Sequence, residues 1–347
     1  MRVRSGPRDA GSTTNPRHDS GITESARADD RRAGRRAARG GRDEDDRFAD
    51  ADHRPRARAG RACNCDHGRV NFRAGVPRVE AANASGNTPV VFIHGLWLLP
   101  SSWANWADFF KQAGYAPLTP DWPDDPATVE EARANPDVLA KKTLKQVADH
   151  TTEIIDALDK KPVVIGHSTG GLLAQMLAGR GLSAATVAID PGVFRGLLPL
   201  PASVLRGVGP FLANPLTRRR AITLTFDQFK YGWANALDEK EAKELYDTFH
   251  VAGSGISLVQ MGNANLNPWT EAKVNTKNPE RSPLLIIDGE KDHTVPWAIA
   301  NAAYKRQRHN PAVTEIVKIP NRGHALTIDH GGREVAQTAL DFVKRFT

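Results

Sequence analysis

The chain has 347 residues, 40% hydrophobic and 25% charged, with a formal net charge of +7. That balance suits a globular protein of one or two domains, long enough to bury a large core. No run approaches the roughly 18 apolar residues of a membrane span. The only cysteines, Cys63 and Cys65, are too close together to frame a disulfide scaffold.

The charge is unevenly spread. Residues 1–78 hold 19 arginines, no lysine and 12 acids, whereas residues 79–347 hold 28 basic and 28 acidic residues. All the net charge lies in the first segment, so the high overall basicity is no argument for a nucleic-acid partner. In residues 1–69 the large apolar side chains are only Met1, Val3, Ile22 and Phe48. Such a segment cannot bury enough surface to offset its conformational entropy, and residues 1–78 are expected to be a disordered, Arg-rich tail. No apolar stretch follows the early arginines, as a secretory or twin-arginine leader would require, and the expected location is cytoplasmic. Cys63, Cys65, Asp66 and His67 lack a second ligand pair at zinc-site spacing, so no metal is expected.

From about residue 79, apolar runs alternate with helical patterns, which predicts an α/β sheet. Val90–Ile93 reads as a buried strand ending at His94-Gly95, Trp103–Ala113 as a helix, and Tyr115–Thr119 as a second strand before a Pro/Asp-rich loop. Val138–Leu158 reads as one amphipathic helix, Val163–Ile165 as a strand, Leu172–Ala178 as a helix and Thr186–Ile189 as a strand. Residues 192–281 break the alternation with Pro199, Pro201, Pro210, Pro215 and short helical patterns such as Glu239–Phe249, and are expected to form an inserted helical cap. Alternation resumes with strand Leu284–Ile287, helix Ala298–Lys305, strand Val313–Ile319 and helix Arg333–Phe346. Continuous apolar strands of this kind are expected in a mostly parallel sheet covered by helices on both faces.

The most informative stretch runs from Val163 to Gly171: a strand, then Gly166-His167-Ser168-Thr169-Gly170, then a helix. A serine there is lifted onto a sharp turn, flanked by small residues because strand and helix approach closely. The amides of the following helix would favour a developing oxyanion. A serine hydroxyl needs a base. His324, on the loop between the last strand and the last helix, is the best placed of the histidines. An acid must hold that imidazole, and Asp292 lies several residues into its loop with room to reach. Asp190 and Asp288 also end strands and compete for this role. No phosphate loop, dinucleotide fingerprint or metal cluster follows any strand, so no cofactor is expected.

With His94-Gly95, the elbow at 166–170, the Gly-x-x-Asp-x-x-x-Pro loop ending at Pro296, and Gly323-His324, the chain from about 88 to 346 resembles the α/β-hydrolase superfamily, in particular its capped, esterase-like members. The resemblance implies a serine hydrolase acting on an ester or related acyl bond of a small molecule, with the order Ser168, Asp292, His324. It implies an oxyanion hole of the Leu96 and Thr169 backbone N–H groups, with His94 bracing that loop. The wording Gly-His-Ser-Thr-Gly-Gly is also similar to cofactor-free haloperoxidases, whose perhydrolase chemistry is the alternative. A non-catalytic receptor on the same fold, or nucleic-acid binding through the tail, are readings of a different kind; the intact set of three residues argues against the first. Within the cap, Phe194, Phe229 and Trp233 are candidates for a pocket or for a core.

Overall fold

The computed structural model describes residues 76–347, so the expectations for Cys63, Cys65 and nearly all of the Arg-rich segment lie outside the described residues. The elements in chain order are α1 (Val76–Ser85), β1 (Pro89–Ile93), α2 (Ala104–Gln112), β2 (Ala116–Leu118), α3 (Val129–Ala134), α4 (Leu144–Asp156), β3 (Val163–His167), α5 (Thr169–Gly179) and β4 (Ala185–Ile189). There follow α6 (Ala202–Ala213), β5 (Ala221–Ile222), α7 (Phe226–Gly232), α8 (Glu239–Phe249), β6 (Gly253–Ser254) and α9 (Gly255–Gly262). The chain closes with β7 (Leu284–Gly289), α10 (Trp297–Gln307), β8 (Thr314–Ile319) and α11 (Gly332–Val343).

Six strands form one wholly parallel sheet in the order β2-β1-β3-β4-β7-β8. Strand side chains alternate between its faces. Val90, Phe92, Val163, Ile165, Val187 and Ile287 pack with Trp103, Trp106 and Phe110 beside α2 and with Val335, Leu340 and Val343 of α11. Val91, Ile93, Val164, Ala188 and Ile286 pack on the other face with Leu144, Val147, Leu173, Leu177 and Ile299 of α4, α5 and α10. Every residue of β1, β3, β4 and β7 is buried, whereas the outer strands β2 and β8 are partly covered. The chain reverses its direction of winding between β1 and β3, which places a crevice at the carboxyl ends of those strands, where open α/β sheets bind ligands.

Local signals explain where the structure departs from the periodicity. The predicted helix Val138–Leu158 is two pieces: a 3₁₀ turn over Pro136–Leu139, then α4. Lys141 has φ +62°, and Thr143 and Gln146 form a reciprocal capping box that starts α4 afresh. The predicted helix from Trp103 likewise opens with a 3₁₀ turn, Pro100–Trp103. The Pro/Asp-rich loop contains α3, capped by Thr128, which periodicity passes over because six residues make under two turns. Residues 192–281 contain four helices, α6 to α9, but also the two-residue antiparallel pair β5–β6. Among the described residues no helix is long and apolar enough to cross a membrane.

Candidate active site

Strand β3 ends at His167 and α5 begins at Thr169, so Ser168 alone turns the chain, with φ +56° and ψ −119°. A non-glycine residue in that region stores about 1–3 kcal/mol of strain. The turn is held by Ser168 N–H donating to Ile189 O (2.9 Å), and by Ser168 O accepting from Gly192 N–H (2.9 Å) and Leu172 N–H (3.1 Å). The flanking glycines are steric necessities. A Cβ on Gly166 would stand 2.0 Å from Gly170 O, and one on Gly170 would stand 2.0 Å from Ile93 O. A Cβ on Gly95 would meet the Ser168 Cβ at 2.8 Å, so the loop after β1 lies directly against the serine.

The loop after β8 brings His324 to within 2.9 Å of the Ser168 hydroxyl through Nε2. The other ring nitrogen, Nδ1, lies 2.6 Å from Asp292 Oδ2. The second Asp292 oxygen accepts from the backbone N–H groups of Thr294 (2.6 Å) and Val295 (2.9 Å). With three N–H groups on it, Asp292 is built to hold a negative charge, and the tautomer that satisfies this network leaves Nε2 free to accept the serine proton. His324 is completely buried. His167 donates from Nε2 to the His324 carbonyl (2.9 Å), and the Trp233 indole stands edge-on to the His324 ring with centroids 4.6 Å apart. Ala325 N–H donates to Trp233 O (3.0 Å), so the insertion also touches the loop that carries the histidine.

Asp190 and Asp288, the competing acids, surround Asp292 with carboxyl oxygens within 4.8 Å of one another. Asp190 Oδ2 is 3.7 Å from His324 Nδ1, beyond hydrogen-bond reach, and Asp190 Oδ1 accepts from Gly289 N–H (2.8 Å). Burial, and then the charge of Asp292, push Asp288 up to about 9. Burial and the same neighbour push Asp190 well above the carboxylate range. Three buried carboxylates at this spacing cannot all ionise, so Asp190 and Asp288 stand as neutral acids behind Asp292. Burial, and then His324, hold His167 well below the usual imidazole value, so it too is neutral. His167, Asp190 and His324 also place donor atoms within 4.8 Å. A cation in either group would compete with the Asp292–His324 hydrogen bond or the His167–His324 bond.

Leu96 and Thr169 both line one cavity with Ser168, and neither backbone N–H has an acceptor among the described residues. The Leu96 loop is braced from below. His94 Nε2 lies 3.1 Å from Asp125 Oδ2, whose other oxygen meets Lys142 Nζ at 2.6 Å, and the His94 ring stacks on Trp122. Burial raises Asp125, but its bonds to His94 and Lys142 outweigh this and hold it below the usual value. Sequence reading missed Asp125 and Lys142; nothing in their spacing links them to His94.

The cavity above Ser168 has a volume of about 270 Å³. Its walls are aliphatic: Leu197, Val204, Val208, Leu212, Leu258 and Met261 from the insertion, with Trp97 and Ile299 from the sheet side. Phe194, Phe229 and Trp233 are all under 2% exposed and belong to the core, where Phe229 stacks on Trp233.

Residues 90–338 match a family model described as the alpha/beta hydrolase family. A monoacylglycerol lipase from Paleococcus ferrophilus is similar in structure, with 18% identity over 75% of this chain and 95% of that one, at a TM-score of 0.51. So is an extracellular alpha/beta-hydrolase from a Paenibacillus species, with 19% identity over 73% and 98% of the two chains and a TM-score of 0.53. A thermophilic esterase from Thermogutta terrifontis shares 16% identity over 75% and 91%, with a TM-score of 0.52. At these identities the likeness concerns the fold. No curated protein sequence matches the chain.

Proposed function

The chain belongs to the alpha/beta hydrolase family, and from that premise we propose that it is a serine hydrolase that cleaves carboxylic esters with an apolar acyl group, through a covalent acyl-enzyme. The observation that carries this reading is the unbroken hydrogen-bonded chain from Ser168 to His324 to Asp292 at the floor of an aliphatic cavity.

The geometry supports the following steps. Ser168 Oγ attacks the ester carbonyl as its proton passes to His324 Nε2, 2.9 Å away. Asp292 stabilises the imidazolium and keeps the ring oriented, without itself taking the proton. The carbonyl oxygen, now negative, is received by the N–H groups of Leu96 and Thr169, the latter at the positive end of α5. His324 returns the proton to the departing alcohol, and the acyl group stays on Ser168. Water then repeats the sequence in reverse roles, releasing the acid. The strained backbone of Ser168 and the brace from Asp125 through His94 fix both sides of the site before substrate arrives. A monoacylglycerol lipase and an esterase are among the structurally similar proteins, in keeping with this substrate class.

The test is a series of p-nitrophenyl esters from acetate to hexanoate, with a fluorophosphonate as covalent label. Each methylene that enters the cavity is worth up to about 0.8 kcal/mol, so kcat/KM is expected to rise severalfold per two carbons until the cavity fills. Labelling is expected at Ser168 alone. A chain that is unlabelled and inert toward the whole series overturns the reading. A flat profile with normal labelling overturns only the apolar acyl preference.

A further inference from the structure

The insertion carries an unusual surface. Eight large hydrophobic side chains are exposed among the described residues, and six of them lie within 192–281: Leu198, Leu200, Leu205, Leu216, Leu266 and Trp269. The two outside, Val138 and Val313, are 36% and 41% exposed, whereas Leu198, Leu266 and Trp269 exceed 80%. A solvated globular surface scatters such residues singly; clustering marks an interaction face.

They are clustered. The Gly196–Leu200 loop and the Asn265–Trp269 loop are tied side by side: Asn265 donates to Leu197 O (2.6 Å), Gly196 N–H donates to Asn265 Oδ1 (2.7 Å), and Arg195 donates to Pro268 O (2.6 Å). Leu198, Leu200 and Leu266 are at once exposed and part of the cavity wall above Ser168. Helix α6 continues the edge: Val204, Val208 and Leu212 face the cavity while Leu205 faces out. The apolar face is therefore the mouth of the cavity.

The segment that carries most of it has charge of one sign. Residues 192–226 contain five arginines, Arg195, Arg206, Arg218, Arg219 and Arg220, and neither Asp nor Glu. All five are exposed. Arg218, Arg219 and Arg220 follow the far end of α6, where the Thr217 hydroxyl donates to Phe211 O (2.6 Å). Exposed leucines and a tryptophan with exposed arginines on the same segment match a bilayer interface with anionic headgroups: the apolar side chains enter the acyl boundary, tryptophan sits at headgroup depth, and arginines meet phosphates.

We propose that this rim docks on an anionic lipid bilayer, so that an acyl chain passes from the membrane into the cavity without crossing water. The docking half stands on the rim alone; the delivery half rests on the acyl-ester reading above.

The experiment uses the full chain carrying Ser168→Ala, so that the lipid stays intact, with vesicles of phosphatidylcholine containing about a third phosphatidylserine. A second vesicle set carries bromine on the acyl chains as a quencher of tryptophan emission. Of the seven tryptophans, Trp269 is the one on the rim; Trp97, Trp103, Trp106, Trp122 and Trp233 are each under 5% exposed, and Trp297 is half-buried at the start of α10 with Lys318 over its ring. Brominated lipid is expected to quench the emission, and Trp269→Phe to abolish that quenching. The pair Leu205→Ser and Trp269→Ser, neither of which lines the cavity, is expected to lower vesicle partitioning about tenfold through lost apolar contact. With Ser168 intact, that pair should leave hydrolysis of p-nitrophenyl acetate unchanged. Replacing Arg218, Arg219 and Arg220 by Gln should weaken partitioning and flatten its salt dependence.

Quenching that survives Trp269→Phe, or partitioning unmoved by the leucine and tryptophan changes, overturns the proposal: any binding then runs through another part, such as the Arg-rich residues 1–78. Loss of p-nitrophenyl acetate hydrolysis in the rim pair also overturns it, since the rim would then be part of the site. Quenching by Trp269 in a chain inert toward every ester keeps the docking surface and overturns the ester reading instead.

Discussion

In the sheet, all residues of β1, β3, β4 and β7 are buried, and successive side chains serve two separate apolar layers. In residues 192–281, by contrast, fully buried Phe194 lies four positions from Leu198, which is 83% exposed. The first region has little freedom: its strands are nearly all apolar, and their polar groups stand mostly at the carboxyl ends, as His167 of β3 and Asp288 of β7 do. The second divides its apolar residues three ways, into a core around Phe229 and Trp233, a cavity wall and an exposed rim. The sheet edge brings Ser168, His324 and Asp292 within hydrogen-bond distance of one another, while the insertion walls the cavity above them.

The largest effects should come from the sheet edge. Ser168→Ala is expected to abolish fluorophosphonate labelling and to cost about 10⁶ in kcat, with an unchanged melting temperature. Asp292→Asn should cost about 10⁴, because the imidazole loses its orienting acceptor. Asp190→Asn should cost far less, since Asp190 lies 3.7 Å from His324 Nδ1 against 2.6 Å for Asp292. Steady-state kinetics on one p-nitrophenyl ester ranks the three, and a larger loss in Asp190→Asn reassigns the acid.

Packing gives the next contrast. Gly170→Ala drives a methyl group to 2.0 Å from Ile93 O, a backbone atom that cannot easily move aside. A loss of more than about 4 kcal/mol, or failure to fold, is expected in denaturant titration.

The two regions should also fail at opposite ends of the pH scale. In the insertion, burial and then Arg133 lower His250 from 6.5 to about 4, and its Nε2 accepts from Leu224 N–H. The unfolded chain binds that proton first, so its contribution is complete above pH 6.5 and is lost as pH falls toward about 4. At the sheet edge Asp288 is raised from 3.8 to about 9, so the folded state holds the extra proton and stability is lost as pH rises across that interval. Each slope is at most about 1.4 kcal/mol per pH unit. Thermal melts from pH 4 to 9 should show His250→Gln flattening the acid limb and Asp288→Asn the alkaline limb.

The smallest effect is expected in α6. A Cβ on Gly207 meets only the Tyr231 ring at 3.8 Å, an ordinary contact, so Gly207→Ala should stabilise by up to about 1 kcal/mol through a lower unfolded-state entropy. A cost instead would mean that the insertion is as tightly specified as the elbow.

Residue periodicity made the sheet legible, because a strand buried on both faces has to be written as an unbroken apolar run. The loops bearing Ser168 and Asp292 could be read for a related reason: each directly follows such a run, and an elbow between strand and helix demands glycines at Gly166 and Gly170, whereas the His324 loop follows the mixed edge strand β8. The break at residues 192–281 was visible as lost alternation. What no local pattern contains is which side chains meet across the fold. Asp125 joins His94 across 31 positions, Gly289 N–H donates to Asp190 across 99, and His167 holds the His324 carbonyl across 157. The same holds for the insertion, where leucines are written alike whether they enter a core, a cavity wall or solvent. Only the tertiary structure assigns Leu197 to the interior and Leu198 to the rim, because burial is a property of the packed assembly and not of the residue.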